Sequence, residues 1–319
     1  MNFDVFNGDA DGICALVQLR LAEPRVATRV SGVKRDIALL ERVEATAGDS
    51  VTVLDVSLDK NRTALLTLLT RGVSVFYVDH HQASDVPSHQ GFSAIIDTDA
   101  DVCTSLLIDR LLQHRFSAWA ITGAFGDNLH PAALKLAQNL GLNAGQTEQL
   151  KQLGVCINYN AYGASIDDLH IHPVELYQEL ATFTTPFDFL AAKPALYRRL
   201  LDGYHNDMAL AWHVESLYRD EQVAIFMLPD QAWARRVAGV WSNELANRHP
   251  ERAHAVLSRH PAGGHVVSVR APLSSKSGAD EVCSRFPGGG GRKAAAGINQ
   301  LADESVAAFI DAMADFYRR

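Results

Sequence analysis

The residues richest in chemistry stand where apolar runs stop. Phe3–Phe6 runs into Asn7-Gly8-Asp9-Ala10-Asp11-Gly12, VTVL ends at Asp55, VSVFYV ends at Asp79-His80-His81, and AWAITGAFG ends at Asp127. If these runs are parallel strands, their carboxyl ends share one edge of a sheet, where ligands bind in open α/β folds. Carboxylates gathered there repel one another unless a cation sits among them. Oxygen ligands with a histidine suit manganese or another hard-to-borderline divalent ion. Aspartates can also bridge two ions, held roughly 3.5–4 Å apart in two-metal hydrolases, where a bound water is activated to attack phosphorus. Taken singly, each feature has an ordinary alternative. An aspartate after a strand is commonly a turn former or a helix N-cap, and Asp9 or Asp11 could cap a helix that starts near Gly12. The DxDG spelling also occurs in calcium loops, but the later acids of an EF-hand do not follow. His130 lies close after Asp127 and could reach the cluster, whereas His170 and His172 read as surface-loop residues. The joint pattern points to a metal site made from Asp9, Asp11, Asp55, Asp79, His80, His81 and Asp127.

Positioning these groups calls for alternating strands and helices. Phe3–Phe6 reads as a strand, Gly12–Leu21 as a helix, Ser50–Val56 as β-rich, Asn61–Leu69 as helical and Val73–Val78 as a strand. Such alternation predicts a parallel sheet with crossover helices. Val102–Gln113, Pro131–Leu140 and Thr147–Gly154 read as helices, INYNAYGASIDDLHIH as a structured loop, and Pro173–Phe183 as a helix leaving the first domain. Phe187–Arg219 reads as mostly helical and bridging. Strands follow at Gln222–Met227, Ala253–Ser258 and His265–Arg270, with helices at Ala232–Asn247 and Glu304–Tyr317 and a glycine cluster at Gly288–Gly291. The expected fold is α/β. A larger N-terminal domain (1–185) carries a mainly parallel sheet flanked by helices, 186–219 form a helical linker, and 220–319 form a smaller C-terminal α/β domain. The expected place for substrate is a cleft between the two domains.

Composition narrows the class. The 319 residues are 47% hydrophobic and 21% charged, enough to build cores without a disulfide framework. Cys14, Cys103, Cys156 and Cys283 are far apart and form no CxxC pair, which argues against structural zinc and fits free thiols in a reducing compartment. The start, MNFDVFNGDADG, reaches acids at once and is no signal peptide, and no apolar run is long enough to span a membrane. A cytoplasmic location is the expectation. The net charge of -8 argues against a long nucleic acid as partner but leaves room for a small phosphorylated ligand in a locally cationic pocket.

These motifs resemble those of the DHH phosphoesterases, named for the Asp-His-His triplet seen here as Asp79-His80-His81. Their DxD motif is matched by Asp9-Ala10-Asp11, their strand-ending aspartate by Asp55, and their aspartate after a glycine-containing stretch by GAFGD with Asp127. A DHH-associated C-terminal domain carries a signature similar to GGGHxxAAG, matched by GGGRKAAAG at Gly289–Gly297, and a Ser-x-Arg strand, matched by SVRAP at Ser268–Pro272. The resemblance spans nearly the whole chain with its motifs in order. It implies that Asp9, Asp11, Asp55, Asp127 and at least one of His80 and His81 bind manganese, as one or two ions, with Mg2+ or Co2+ able to serve. It makes Asp55 the bridging carboxylate. The second histidine touches the scissile phosphate or assists the leaving group, and Asp79 orients a histidine or binds metal. Two departures stand out. Many members carry a histidine four residues before the first aspartate, where this chain has Val5, with Asn7 as the nearest, weaker polar ligand. RecJ-type exonucleases also lack that histidine and carry an acid at the Asn7 position. Arg292 replaces the signature histidine; it keeps a phosphate contact but not imidazole chemistry.

In the C-terminal domain, Gly289, Gly290 and Gly291 could turn backbone N–H groups on an anion, with Arg292 and Lys293 adding charge; a linker or tight turn is the alternative. Arg270 ends an apolar strand as a phosphate clamp or a solvated arginine. In INYNAYG, Tyr159 and Tyr162 offer stacking faces and Asn158 and Asn160 base-edge partners, unless the segment is only an ordered loop. The function these readings imply is manganese-dependent hydrolysis of short linear dinucleotides such as pGpG or pApA, a nanoRNase-like activity. A cyclic (di)nucleotide phosphodiesterase and a 3'-phosphoadenosine 5'-phosphate phosphatase share the chemistry. A nucleotide-binding protein with a degenerate metal site is the alternative of another class. The expected partner is a small nucleotide, not a membrane or a long nucleic acid, and a homodimer is compatible.

Overall fold

The computed structural model describes residues 1–318. They form two units, one of Met1–Ala161 with Ser165–Leu201, the other of Tyr162–Ala164 with the chain from Asp202 onward. In the first unit, β1 (Asn2–Phe6), α1 (Ala10–Ala22), β2 (Thr28–Val30), β3 (Ser50–Leu54), α2 (Leu58–Thr70), β4 (Ser74–Asp79) and β5 (Phe92–Ile96) build a five-stranded sheet in the order β2-β1-β3-β4-β5. Every pairing is parallel. Helices α3 (Thr104–Leu111), α4 (Ser117–Gly126), α5 (His130–Asn139), α6 (Ala144–Asn160), α7 (Pro173–Leu180), α8 (Pro186–Ala192) and α9 (Pro194–Ala211) follow. No helix among the described residues is long and apolar enough to cross a membrane.

The strands divide their side chains by the two-residue period. Phe3 and Val5 of β1 join Val51, Val53, Val75 and Tyr77 in one apolar cluster. Asp4, on the opposite face, forms a buried ion pair with Arg20 of α1, and Arg20 also donates to Thr52 of β3. Val5 is thus a core residue with no exposure. Asn7 lies past the end of β1, so the strand alternation that would place it on one face with Val5 and Asp9 does not reach it.

Four sequence expectations are corrected here. AWAITGAFG is not a strand but helix α4, all ten residues of which are buried. A continuous apolar run gives no periodicity with which to tell a buried helix from a buried strand. INYN, read as the start of a loop, is the last turn of α6, which opens on a capping box between Asn143 and Gln146. Ser216–Arg219, read as helical, is strand β6. The glycine cluster holds a strand rather than an open loop, as set out below. The short strands β2 and β5 were not anticipated; they are sheet edges with few buried residues and so carry little alternation.

Helix α4 is held by close helix crossings. At Gly126 an added Cβ would lie 2.3 Å from the Ala10 Cβ and 2.8 Å from the Gly154 carbonyl oxygen. Glycine there lets α1, α4 and α6 meet where Asp127 follows. Gly126→Ala should therefore cost about 1–3 kcal/mol by overpacking and displace Asp127. Denaturant unfolding, with turnover measured in parallel, checks both effects.

The second unit continues with β7 (Val223–Met227), α10 (Ala232–Arg248), β8 (Ala253–Arg259), β9 (His265–Arg270), α11 (Ala279–Cys283), β10 (Gly289–Gly291), β11 (Ala295–Leu301) and α12 (Val306–Tyr317). Its sheet runs β10-β11-β9-β8-β7-β6, with only β7–β8 parallel. Alternate positions of three strands fill its core: Val223, Ile225, Ala255, Leu257, Val267 and Val269 pack with α11 and α12 residues such as Phe309.

Candidate metal centre

Three neighbouring parallel strands deliver the site. β1 leads to Asp9 and Asp11, β3 to Asp55, and β4 to Asp79, His80 and His81. Asp127 arrives from the carboxyl end of α4. That helix ends in a Schellman motif: Asn128 takes a left-handed backbone (φ 63°), its N–H donates to the Phe125 carbonyl, and the Leu129 N–H donates to that of Ala124. A carboxylate at a helix carboxyl end meets the negative pole of the helix dipole, and a cation relieves that.

Each acid has a definite local task. Asp9 caps α1, its Oδ1 accepting from the Asp11 and Gly12 N–H groups at 3.1 Å each. Asp11 accepts from Thr104 N–H on Oδ2 and from Ser105 N–H on Oδ1, both at 2.7 Å, and so caps the start of α3. Asp55 sits in left-handed backbone (φ 58°), and its Oδ1 accepts from the Thr104 hydroxyl at 3.3 Å. Asp79 Oδ1 takes the His80 N–H and lies 2.6 Å from His81 Nδ1, while its Oδ2 is buried without a partner.

The histidines differ. His80 is buried, and its Nδ1 lies 2.9 Å from the Val102 carbonyl, which fixes the ring with Nδ1–H as donor. Its Nε2 then faces carboxylates: Asp55 at 3.3 Å, Asp11 at 3.9 Å and Asp127 at 3.9 Å. A lone pair facing carboxylate oxygens needs a proton or a cation between them. Burial, then the charges of Asp9, Asp11 and Asp127 against the opposing effect of His81, hold the Asp55 carboxyl well above the usual carboxylate range. His81 is 41% exposed at its side chain and can reach a ligand. Burial alone would lower its pKa, but Asp79 and Asp55 outweigh it and raise it.

Does this set fit a divalent ion? One donor atom each from Asp55, His80 and His81 lies within 4.8 Å of the others. The orphaned Asp79 Oδ2 and the excess of buried carboxylate point the same way. The mixture of carboxylate oxygen and imidazole nitrogen suits manganese. The residues fit the ion.

One group escaped the sequence reading. Lys34 Nζ pairs with Asp9 Oδ2, lies 3.6 Å from Asp127 Oδ1, and donates to Asn158 Oδ1 at 3.0 Å. An ammonium thus already sits between two of the expected ligands. Nothing local in GVKRD marks it; only the tertiary fold brings it in. Asn7 has its side-chain oxygen on the Asp9 N–H at 3.3 Å and its amide near the Lys34 carbonyl.

Other expected site residues are placed elsewhere. Tyr159 has no exposure, and its hydroxyl is 2.7 Å from His170 Nε2, so it offers no stacking face; Asn158 is buried beside Lys34, and Asn160 binds the backbone of residues 170 and 171. Tyr162 packs on Gly239. His130 packs edge-on against Phe125, and His172 caps α7. In the second unit, Gly289–Gly291 pair with β11. The Gly289 N–H donates to Phe286 and the Arg292 N–H to Ala295. Those two donors are spent on the chain's own carbonyls rather than presented to an anion. Gly291 (φ 145°) leads into the turn that carries Arg292 and exposed Lys293. Arg270 is held by Asn243 Oδ1 at 2.7 Å.

No protein-family model and no curated protein sequence matches the chain. Among solved structures, the whole chain is similar to the exonuclease RecJ bound to manganese, at TM-score 0.62 and 17% identity over 90% of that chain. It is similar to RecJ of Thermus thermophilus in complex with Mn2+, at TM-score 0.65 and 16% identity, and spans 52% of that longer chain. It is similar to the pGpG-specific phosphodiesterase PggH of Vibrio cholerae, at TM-score 0.53 and 16% identity over 99% of that chain. With its parallel five-stranded unit followed by a mixed-sheet unit, the chain shares its two-unit α/β fold with these structures.

Proposed function

We propose that the protein is a metal-dependent phosphoesterase that hydrolyses short linear dinucleotides, such as pGpG or pApA, to mononucleotides, with manganese as its working ion. The observation that carries this reading is the convergence of Asp55, His80 and His81 on one point, with Asp11 and Asp127 also within 4 Å of His80. Bound divalent cations would lower the pKa of a water and offset charge on the phosphate oxygens. Asp79 holds the His81 ring and favours its protonated form, which suits proton donation to the leaving oxygen. The likeness to a pGpG-specific phosphodiesterase over nearly the full length of both chains supports a small substrate.

The test is manganese-dependent turnover of pGpG, pApA, c-di-AMP, c-di-GMP, cyclic AMP, 3'-phosphoadenosine 5'-phosphate and a longer single-stranded oligonucleotide, with Asp127→Ala as the blank. Mononucleotides released from the linear dinucleotides by wild type alone support the proposal; preference for another substrate keeps the chemistry and replaces the substrate. Lys34 between Asp9 and Asp127, together with Val5 in the core, favours a second reading, a nucleotide-binding protein whose metal site is degenerate. Nucleotide binding with no turnover of any member would decide for it.

A further inference from the structure

The two sides of the acid cluster are furnished differently. On one side, three carboxylates face His80 Nε2: Asp55 at 3.3 Å, and Asp11 and Asp127 at 3.9 Å each. Carboxylate oxygens with one imidazole nitrogen make a sufficient donor set for one divalent ion. On the other side stands Asp9, whose oxygens are committed within the chain. Oδ1 caps α1, and Oδ2 pairs with Lys34 Nζ. The neighbours that could complete a second ion's shell there are poor donors. Val5 is packed in the apolar cluster, and the Asn7 side-chain oxygen accepts from the Asp9 N–H. Asp127 meets both sides, with Oδ2 toward His80 and Oδ1 3.6 Å from Lys34 Nζ.

Lys34 has a seat of its own. Its backbone N–H donates to the Ala161 carbonyl at 2.8 Å. Buried Asn61 of α2 accepts from the Leu40 N–H and donates to the Ile37 carbonyl, which fixes the segment that follows Lys34. The ammonium donates to Asn158 Oδ1 at 3.0 Å, and Asn158 is 2% exposed. Attraction to the acids does not account for that contact. Asn158 has no charge to draw a lysine, and a buried amide oxygen needs a donor. The fold thus builds a place for a positive charge beside Asp9.

We propose that this centre takes a single divalent ion, among Asp11, Asp55, His80 and Asp127, and that the Lys34 ammonium takes the place of a second ion at Asp9. An ion set against Asp9 would meet the ammonium at contact distance, and like charges so close exclude one another. Lysine in that place can offset charge on a phosphate oxygen, but it holds no water whose pKa it lowers as a divalent ion does. The proposal rests on the reading of the cluster as a metal centre and adds to it the number and kind of its cations.

Counting the manganese held by the full-length chain tests it. Equilibrium dialysis gives the number of ions, and electron paramagnetic resonance of the bound ions tells an isolated Mn2+ from a coupled pair. Wild type should saturate at one ion per chain with the signal of an isolated ion. Asp9→Asn should also hold one, since asparagine keeps the α1 cap and Asp9 serves the ammonium, whereas Asp55→Asn should hold none. Lys34→Met should take up two and show the coupled signal. If Lys34→Met fails to fold, the Asp9→Asn count carries the test. Two ions per wild-type chain overturn the proposal, as does loss of the ion in Asp9→Asn, or a folded Lys34→Met that stays at one. A wild type that holds no manganese overturns the metal centre itself, and this proposal with it.

Discussion

Asp55→Asn should abolish turnover and yet make the metal-free protein harder to unfold. Groups that merely support a metal ligand are worth about 10–100-fold in affinity or activity, so a carboxylate within the cluster should cost about a thousandfold in turnover. The fold tolerates the exchange, because asparagine is as much at home as aspartate in the left-handed backbone that position 55 adopts. The stability change has the opposite sign. The Asp55 pKa is raised in the folded state, by burial and then by Asp9 and Asp11. Its contribution is therefore intact below the ordinary carboxylate pKa of about 4 and is lost as pH rises through the raised folded value. Asparagine carries no such charge. In EDTA the variant should match wild type in acid and exceed it in stability in mildly alkaline buffer. Adding manganese should raise the melting temperature of wild type and leave the variant unmoved. A variant less stable than wild type in EDTA would mean that Asp55 serves the fold, as acceptor for Thr104, more than it serves a cation.

Lys34→Met should act in the reverse direction. The ammonium answers the buried carboxylate of Asp9 and lies near Asp127. Breaking a buried ion pair costs roughly 3–5 kcal/mol; with 22% of the lysine side chain exposed, about 2–3 kcal/mol is the expected loss in EDTA. Manganese should recover it. Removing a positive charge so close to two carboxylates also opens them to a divalent ion. Uptake measured by metal analysis at fixed free manganese should show the variant binding more ion, with affinity raised about tenfold or more, since unit charges 4 Å apart interact by about 4 kcal/mol near a protein surface. Unchanged stability and unchanged manganese uptake would show that Lys34 is a bystander that folds onto the acids only when no ion is there.

What the sequence made legible, and what it hid, follows the range of the interactions involved. Asp9, Asp11, Asp55 and Asp79-His80-His81 could be read because a strand followed by an acid is a local pattern, and parallel pairing then brings the ends together. Asp127 was readable as a residue but not as a helix end, since ten consecutive buried positions erase periodicity; the Asp127-Asn128 step, which stops the helix, was the available signal. Lys34 was invisible because its meaning arises from partners 25 and 124 positions away. Tyr159 looked like a stacking platform because a polar, aromatic helix end resembles a loop when its burial is unknown. The two-unit α/β plan was accessible from strand-helix alternation, whereas short edge strands such as β2 and β10 were not, having too few residues to show a period.

The left-handed backbone at Asp55 also bears on how this chain can drift. Side chains with a bulky or branched Cβ are strained at φ 58°, so most replacements there damage folding and are removed along with the unfolded chain. Asparagine and glycine are among the exceptions, and both lie one base change from an aspartate codon. Neither carries a charge. If Asp55 holds the ion as proposed, these two mutations would be kept by the fold while silencing the chemistry, so a folded but inactive descendant is a single step away.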